Sequence, residues 1–194
     1  MVKSKSIKLS GYLFVVFLIS VIGFCSIVSA EEIGKRMKAI IKAHEKNIKE
    51  WVNAPLLIES VKEQNNKKTS LEEIKRIDKD WVAGKADDFA IGLQKNKAGD
   101  FLHTKMIENT ILYAEMFLCD NQGAVVGEYP KTSDYWQGDE DKFIKCFNNG
   151  NGQVYIGPLE FDESSKTNSV QIALPVFDNG KTIGVLVVGL KNIK

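Results

Sequence analysis

The stretch that decides the fold runs from residue 169 to residue 190 and reads SVQIALPVFDNGKTIGVLVVGL. Apolar and polar side chains alternate in its first half, as in a strand with one buried face, and its second half is almost continuously apolar. Asn179 and Gly180 separate the halves, and Asn-Gly between apolar runs is the strongest short signal for a β-hairpin. The stretch predicts two antiparallel strands, Ser169 to Phe177 as an edge or solvated strand and Thr182 to Leu190 as a central one.

Three more predicted strands precede this hairpin. The apolar run Met116 to Cys119 is followed by the turn composition Asp120-Asn121-Gln122-Gly123, and Ala124 to Tyr129 forms the returning strand before a proline. Residues 153 to 161 supply the third strand. A helical connection between Gly138 and residue 148 joins the second strand to the third, so the C-terminal half predicts a five-stranded antiparallel sheet.

The N-terminal half has the periodicity of helices. Apolar residues recur at steps of three and four from Glu31 to Asn53, which predicts an amphipathic helix about five turns long with lysines on its other face. Pro55 ends or bends this helix, and a short helix resumes over residues 56 to 62. Ser70 with Glu73 forms a capping box that starts another helix, which ends at residues 83 and 84.

The next segment has a weaker pattern. Lys85 to Asn96 is predicted as a loop with one helical turn at residues 88 to 93, and Asp100 is predicted to cap the helix that follows. With the strands after it, the chain is therefore an α+β domain with a long N-terminal helix and flanking helices.

The first thirty residues have the composition of an export signal. Lys3, Lys5 and Lys8 precede an uncharged run from Tyr12 to Val28, and the small residues at 28 to 30 form a cleavage pattern. Because seventeen residues also reach the lower limit for crossing a bilayer, a retained N-terminal anchor is the alternative. Either way, we expect the remainder to lie in the periplasm or elsewhere outside the cytoplasm.

Charge and length limit what the exported part does. Removal of the three signal lysines from the 26 basic residues leaves 23 against 25 acidic residues, a balance that argues against binding nucleic acid. About 164 residues suffice for one core. We divide the chain into the signal at 1–30, the N-terminal helical region at 31–112 and the sheet core with its ligand pocket at 113–194.

Two cysteines remain after the signal, Cys119 and Cys146. In an oxidising compartment they form a disulfide if their α-carbons are close enough. The alternative is two small, buried side chains. His44 and His103 lack a neighbouring cluster of Cys or Glu, so no metal site is predicted, and no cofactor is expected.

The candidate site starts from TSDYWQGDED at residues 132 to 141, which holds two large aromatic residues and four carboxylates around one glycine. That composition suits the wall of a polar pocket. Aromatic rings supply flat faces, while carboxylates accept hydrogen bonds from an amine or a hydroxyl group. The candidate ligand-binding residues are Tyr135, Trp136, Asp134, Gln137 and Asp139, with Tyr155 and Asp162 from the following strand and loop.

The same residues have a structural alternative. Asp134 would cap a helix, and Asp139, Glu140 and Asp141 would be solvated charges in its first turn. Trp136 would then belong to the core.

The sequence resembles the Cache superfamily of extracellular, PAS-like sensor domains. The resemblance lies in FLCDNQGAVV at 117–126, TSDYWQGDE at 132–140, LPV at 174–176 and IGVL at 183–186, in that order and spacing. It implies a PAS-like five-stranded sheet with a long N-terminal helix. It also implies a small-molecule pocket between the sheet and the helix after the second strand, with binding passed to a membrane-bound output domain.

One departure from the family bears on the ligand. Amino-acid-binding members with a double domain use a pocket arginine, but Arg36 and Arg76 both lie in the N-terminal helices of this chain. Recognition of an α-carboxylate would instead rest on a lysine such as Lys142, or on backbone amides.

We therefore predict an exported single Cache domain that binds a small amine, hydroxylated metabolite or organic acid. Its expected partner is a membrane-bound receptor or kinase, or a second copy in a homodimer. One alternative is an interaction protein that dimerises through its long N-terminal helix. A hydrolase that uses paired carboxylates is another, but no catalytic residue is identified and we expect no enzyme activity.

Overall fold

A computed structural model describes residues 33–162 and 166–193. The export signal predicted for residues 1–30 lies outside these described residues. Within them, no helix combines the length and the apolar character needed to cross a bilayer.

In the described part of the chain, five helices precede the first strand, and a sixth lies between the second and third strands, in the order that the sequence predicts. The helices are α1 (Lys35–Val52), α2 (Pro55–Asn66), α3 (Leu71–Val82), α4 (Asp87–Lys95), α5 (Lys97–Ile107) and α6 (Asp141–Phe147), the last followed by a 3-10 turn at Asn148–Gly150. The strands are β1 (Tyr113–Cys119), β2 (Val125–Tyr129), β3 (Tyr155–Asp162), β4 (Thr167–Asp178) and β5 (Lys181–Lys191).

The sheet has the strand order β2-β1-β5-β4-β3, and all neighbouring strands are antiparallel. This confirms the predicted α+β architecture with a five-stranded antiparallel sheet and a long N-terminal helix. The predicted hairpin is also present, with positive φ angles at Asn179 and Gly180. Residues in these conformations suit the tight turns that join antiparallel strands.

The prediction that β4 is an edge or solvated strand is wrong. Strand β3 pairs with β4 from Tyr155 to Asp162 and takes the edge position, and α6 packs against the face of β4. Most of the middle of β4 is therefore buried, from Ser169 to Val176 with only Gln171 partly exposed. Strand β5 is central, as predicted.

The helices differ from the prediction in two places. Residues 87 to 95 form α4, where a loop with one helical turn was expected, and the acidic residues Asp87 and Asp88 favour its first turn. The next helix begins before Asp100, because Asn96 Oδ1 accepts a hydrogen bond from Gly99 N at 2.8 Å and so caps α5. The capping bond predicted at Ser70 is present, with Glu73 N donating to Ser70 Oγ at 3.2 Å.

One face of the sheet packs against α1, α2 and α5 and forms the larger part of the core. The buried stripe of α1 lies in this cluster, as the periodicity predicts. Its members include Met37, Ile41, Ile48, Leu57, Val61, Leu102, Met116, Leu118, Ile172, Leu186 and Leu190.

The opposite face is covered by α3, α6 and the link between β2 and α6. Its cluster contains Ile74, Trp81, Phe117, Cys119, Val125, Tyr135, Phe143, Cys146, Ala173, Val185 and Val187. Polar residues share this face with the apolar ones, so this face is the better candidate for a binding site.

Candidate functional site

The link between β2 and α6 contains the predicted site residues, and helix α3 holds it in place. Asp78 Oδ1 accepts hydrogen bonds from the backbone nitrogens of Tyr135 at 2.9 Å and Trp136 at 3.0 Å. Trp81 Nε1 donates to Thr132 O at 2.9 Å. These bonds satisfy backbone groups that a buried link would otherwise leave without partners.

The two aromatic residues of this link have structural partners. Tyr135 is 2 % exposed, and its ring centroid lies 5.8 Å from that of Trp81 and 5.3 Å from that of Phe89. Burial accordingly raises the pKa of Tyr135. Tyr135 thus belongs to the solid interior of the domain.

Trp136 is half-buried. Its Nε1 atom donates to Gln122 O at 2.9 Å, and Lys75 Nζ lies 4.2 Å from its ring centroid. A cation at that distance over the ring is a stabilising contact. Trp136 packs between α3 and the turn after β1.

The polar residues of the link are not gathered into one pocket. Asp134 is half-buried, Asp139 is exposed, and Gln137 is buried with Nε2 donating to Asp134 O at 2.8 Å. Asp134 does not cap a helix either, since α6 begins at Asp141 with Glu140 as its N-cap residue. The side chain of Asp162 lies outside the described residues.

A buried carboxyl group lies beneath this link. Glu128 on β2 is fully buried, and its Oε2 atom accepts hydrogen bonds from Thr132 N at 2.9 Å and from Thr132 Oγ1 at 2.8 Å. Burial raises the pKa of Glu128 to about 7, although the hydrogen bonds from Thr132 oppose the shift. Glu128 thus changes its charge near neutral pH.

A cavity of about 220 Å³ lies where the start of α6 faces the surface of β3 and β4. Its lining includes Glu140 and Lys142 from the α6 side, Tyr155 and Gly157 from β3, and Ser169 and Gln171 from β4. This is the location that the resemblance implies, between the sheet and the helix after the second strand.

Charges of both signs surround the cavity. Lys142 is half-buried, with its Nζ atom 5.6 Å from the ring centroid of Phe117 on the sheet. Glu160 and Asp141 add carboxylates to the lining, and Asp141 Oδ2 is 2.7 Å from Lys145 Nζ. The Lys145 ammonium also lies 5.1 Å from the ring centroid of Tyr155. The cavity therefore offers an ammonium, an aromatic face and carboxylates to one small solute.

Of the predicted site residues whose side chains are described, Tyr155 lines this cavity and the other five do not. Lys142, proposed as a partner for a carboxylate, also lines it. Gln171 and the buried Glu115 beside it are not among the residues predicted from the sequence. A signal for both exists, because Glu115 interrupts an otherwise apolar strand and Gln171 lies in a strand that is buried on both sides.

Cys119 and Cys146 are free thiols, both fully buried in the cluster beneath α6. They lie in this structure as two buried small side chains, and their pairing stays a prediction. Burial raises the pKa of the Cys146 thiol to about 12 and raises that of Cys119 as well. Among the residues 33–162 and 166–193, no group of His, Cys, Asp and Glu is arranged to hold a metal ion.

Comparison with known proteins gives structural matches alone. No protein-family model and no curated protein sequence matches the chain. An extracellular ligand binding receptor from Desulfohalobium retbaense is 22% identical over 71% of this chain and 24% of its own, with a TM-score of 0.38.

Two further solved structures are sensory domains. The ligand-binding domain of the Campylobacter jejuni chemoreceptor Tlp3, in complex with L-valine, is 16% identical over 79% of this chain and 62% of its own, with a TM-score of 0.40. The sensor domain of the V. cholerae histidine kinase DctB is 16% identical over 80% and 57%, with a TM-score of 0.36. This chain thus spans less than two thirds of each of these three structures.

Proposed function

We propose that this chain is an exported ligand-sensing domain that binds a small polar metabolite in the cavity beneath α6. The bound state is passed to a membrane-bound receptor or kinase, or is reported through a homodimer. The observation that carries this proposal is the convergence of the Lys142 ammonium, the Tyr155 ring and the Gln171 amide on one cavity of about 220 Å³. A few polar groups in a concave, partly aromatic site are typical of small-ligand binding.

The size of the cavity and the ammonium of Lys142 in its lining support one class of ligand. Sites for drug-sized molecules usually enclose about 300 to 1,000 Å³, so this cavity suits a smaller metabolite. A carboxylate is the natural partner of Lys142, because a half-buried ammonium binds an anion more strongly than a fully hydrated one does. The ligand is therefore a small carboxylic acid.

The two alternatives are less well supported. The apolar stripe of α1 is buried against its own sheet through Met37, Ile41 and Ile48, so dimerisation by that helix would have to use its charged face. Asp139 and Glu140 are both exposed, which gives no support to a hydrolase that uses them as its paired carboxylates. Sensing without chemical conversion remains the better account of the cavity.

A thermal-shift screen of small carboxylic acids tests the proposal. A ligand at 100 times its Kd stabilises the folded state by about 2.7 kcal/mol, which raises Tm by about 5 to 10 °C for a chain of this size. We expect Lys142→Met to weaken binding of the identified acid by about tenfold or more, because a charge-assisted hydrogen bond is lost. Lys75→Met is the matched control, since Lys75 packs over Trp136 away from the cavity.

The screen also distinguishes two candidate binding sites, the cavity beneath α6 and the aromatic wall that the sequence predicts at Tyr135 and Trp136. If the cavity is the site, Trp136→Ala lowers Tm but leaves the ligand-induced increase in place. If Trp136→Ala and Lys75→Met abolish the ligand-induced increase in Tm and Lys142→Met does not, the ligand binds at Tyr135 and Trp136 and not in the cavity. Turnover of a compound in the same screen would favour an enzyme.

A further inference from the structure

A row of three residues from three adjacent strands ends at the cavity, where Gln171 forms part of the lining. Glu115 on β1 is the register partner of Gly189 on β5, and Gly189 is in turn the partner of Gln171 on β4. Glu115 and Gln171 are therefore two strands apart, separated by a residue that has no side chain. Their side chains meet over this glycine, with Gln171 Nε2 donating to Glu115 Oε1 at 2.6 Å.

Gly189 makes this contact sterically feasible. A Cβ atom added at Gly189 would lie 2.9 Å from Cγ of Glu115 and 3.3 Å from Cβ of Ala114. A side chain at 189 would occupy the space through which Glu115 crosses β5. The meeting of the carboxylate and the amide thus depends on a glycine in the middle of an apolar strand.

The contact fixes the orientation of an amide that lines the cavity. Gln171 turns its NH2 end toward Glu115, whose Oε1 atom accepts the hydrogen bond. Glu115 is 3 % exposed, and the 2.6 Å between Gln171 Nε2 and Glu115 Oε1 is a short hydrogen bond in a buried place, where the loss of either partner is costly. With Nε2 held by Glu115, the carbonyl oxygen Oε1 is the part of the amide left for a ligand.

We infer that Glu115 is a positioning residue for the ligand site, and that through Gln171 it gives the cavity lining a hydrogen-bond acceptor. The inference rests on the proposed function and narrows its ligand class. The site takes a small carboxylic acid that also carries a hydrogen-bond donor, either a hydroxyl or an ammonium group. An acid without such a donor leaves Gln171 Oε1 desolvated and unpaired, which is unfavourable.

Matched acids test this inference on the full chain at pH 7.5. The probes are two sets of three: L-lactate, L-alanine and propionate, and L-malate, L-aspartate and succinate. Propionate and succinate have the carbon skeleton and the carboxylates but no donor. In at least one set, we expect a donor-bearing acid to bind about tenfold or more tightly than its donor-free analogue, measured by thermal shift and calorimetry.

Two variants separate positioning from folding. Glu115→Gln supplies an amide that pairs with either end of Gln171, so the preference should fall below about threefold while binding persists. Gln171→Met removes the acceptor and should abolish the preference even if Glu115→Gln does not fold. Glu128→Gln is the matched control, because it makes the same change at a buried glutamate of the sheet outside the cavity lining.

The outcomes separate this inference from the proposed function. Equal binding of donor-bearing and donor-free acids overturns the inference and leaves the proposed ligand sensing in place. A preference for donor-bearing acids that survives both Glu115→Gln and Gln171→Met has the same consequence. If none of the six probes and no acid of the broader screen raises Tm, the proposed function and the inference fall together. A separate preference for hydroxyl or for ammonium acids identifies which donor the site takes.

Discussion

Asp78 holds the backbone of Trp136 with one carboxylate oxygen, which lies 3.0 Å from the tryptophan nitrogen. The two residues are 58 positions apart, and the same oxygen also accepts the bond from Tyr135 N. Helix α3 is thereby joined to the link that leads into α6. Because α6 begins beside the cavity, this contact is part of the framework that positions Lys142.

We expect Asp78→Ala to lower the free energy of unfolding by about 1 to 3 kcal/mol, because it leaves two partly buried backbone donors without an acceptor. Asp78→Asn retains the Oδ1 acceptor and should cost less. Asp80→Ala is the control on the same helix, since Asp80 pairs with Arg76 on the exposed surface at 3.0 Å and should change stability by less than about 1 kcal/mol. Urea titrations measure all three, and equal losses at positions 78 and 80 would contradict this role.

The raised pKa of Glu128 predicts that stability falls as pH rises. The folded pKa of about 7 exceeds the ordinary value of 4.5, so the folded state holds a proton that the unfolded state releases between these values. The stabilisation that this proton gives the folded state is fully present below pH 4.5 and is lost as the pH rises through about 7. The difference between the folded and the ordinary pKa of Glu128 corresponds to about 3 kcal/mol in the free energy of unfolding.

Glu128→Gln tests that dependence, since an amide keeps the shape of the protonated acid and does not ionise. We expect the variant to be more stable than the natural chain at pH 8 and to show a flatter stability profile between pH 5 and 8. A residual slope of the same sign is expected from Asp120, whose pKa is also raised by burial. An unchanged slope in Glu128→Gln would assign the pH dependence elsewhere.

Gly189→Ala is expected to alter ligand preference more than it alters folding. The added methyl group displaces Glu115 from its path across β5, and Gln171 then loses the carboxylate that orients it. The tenfold preference for donor-bearing acids should fall toward parity, while circular dichroism shows the sheet intact. Gly180→Ala at the hairpin turn is a comparison that affects stability through its positive φ angle and leaves the preference alone.

The buried thiols are expected to resist modification in the folded state. Cys119 and Cys146 are fully buried, and their raised pKa values leave little thiolate at pH 8. An aromatic disulfide reagent should label neither residue before unfolding and both after it. Mass analysis of the peptides checks this, and a linked pair of peptides would show that the two cysteines form a disulfide after all.

Local sequence patterns predicted most elements, because each depends on neighbours within a few residues. The Ser70 cap, the Asn179-Gly180 turn and the stripe of α1 are of this kind. The failures arose where distant contacts override the local signal. Helix α4 has only nine residues, so its apolar pattern repeats over few turns. The polar residues of β4 suggested an edge strand, whereas β3 pairs with its outer side.

The site was harder to predict than the fold for the same reason. The density of aromatic and acidic residues at 132–141 indicated a pocket, but the structure uses Tyr135 and Trp136 to attach the link to α3. Glu115 and Gln171 are 56 residues apart, and only the register of three strands brings them together. Tyr155 and Lys142 line the cavity, and both lie in elements that the Cache resemblance assigns to the pocket.

The two faces of the sheet impose different constraints on how this domain diverges. Substitutions on the face against α1, α2 and α5 change the packing of buried apolar side chains and therefore lower the stability of the fold. The row over Gly189 instead lies on the face where polar side chains meet a cavity. A lineage that exchanged Glu115 or Gln171 could therefore acquire a new ligand without rebuilding its hydrophobic interior.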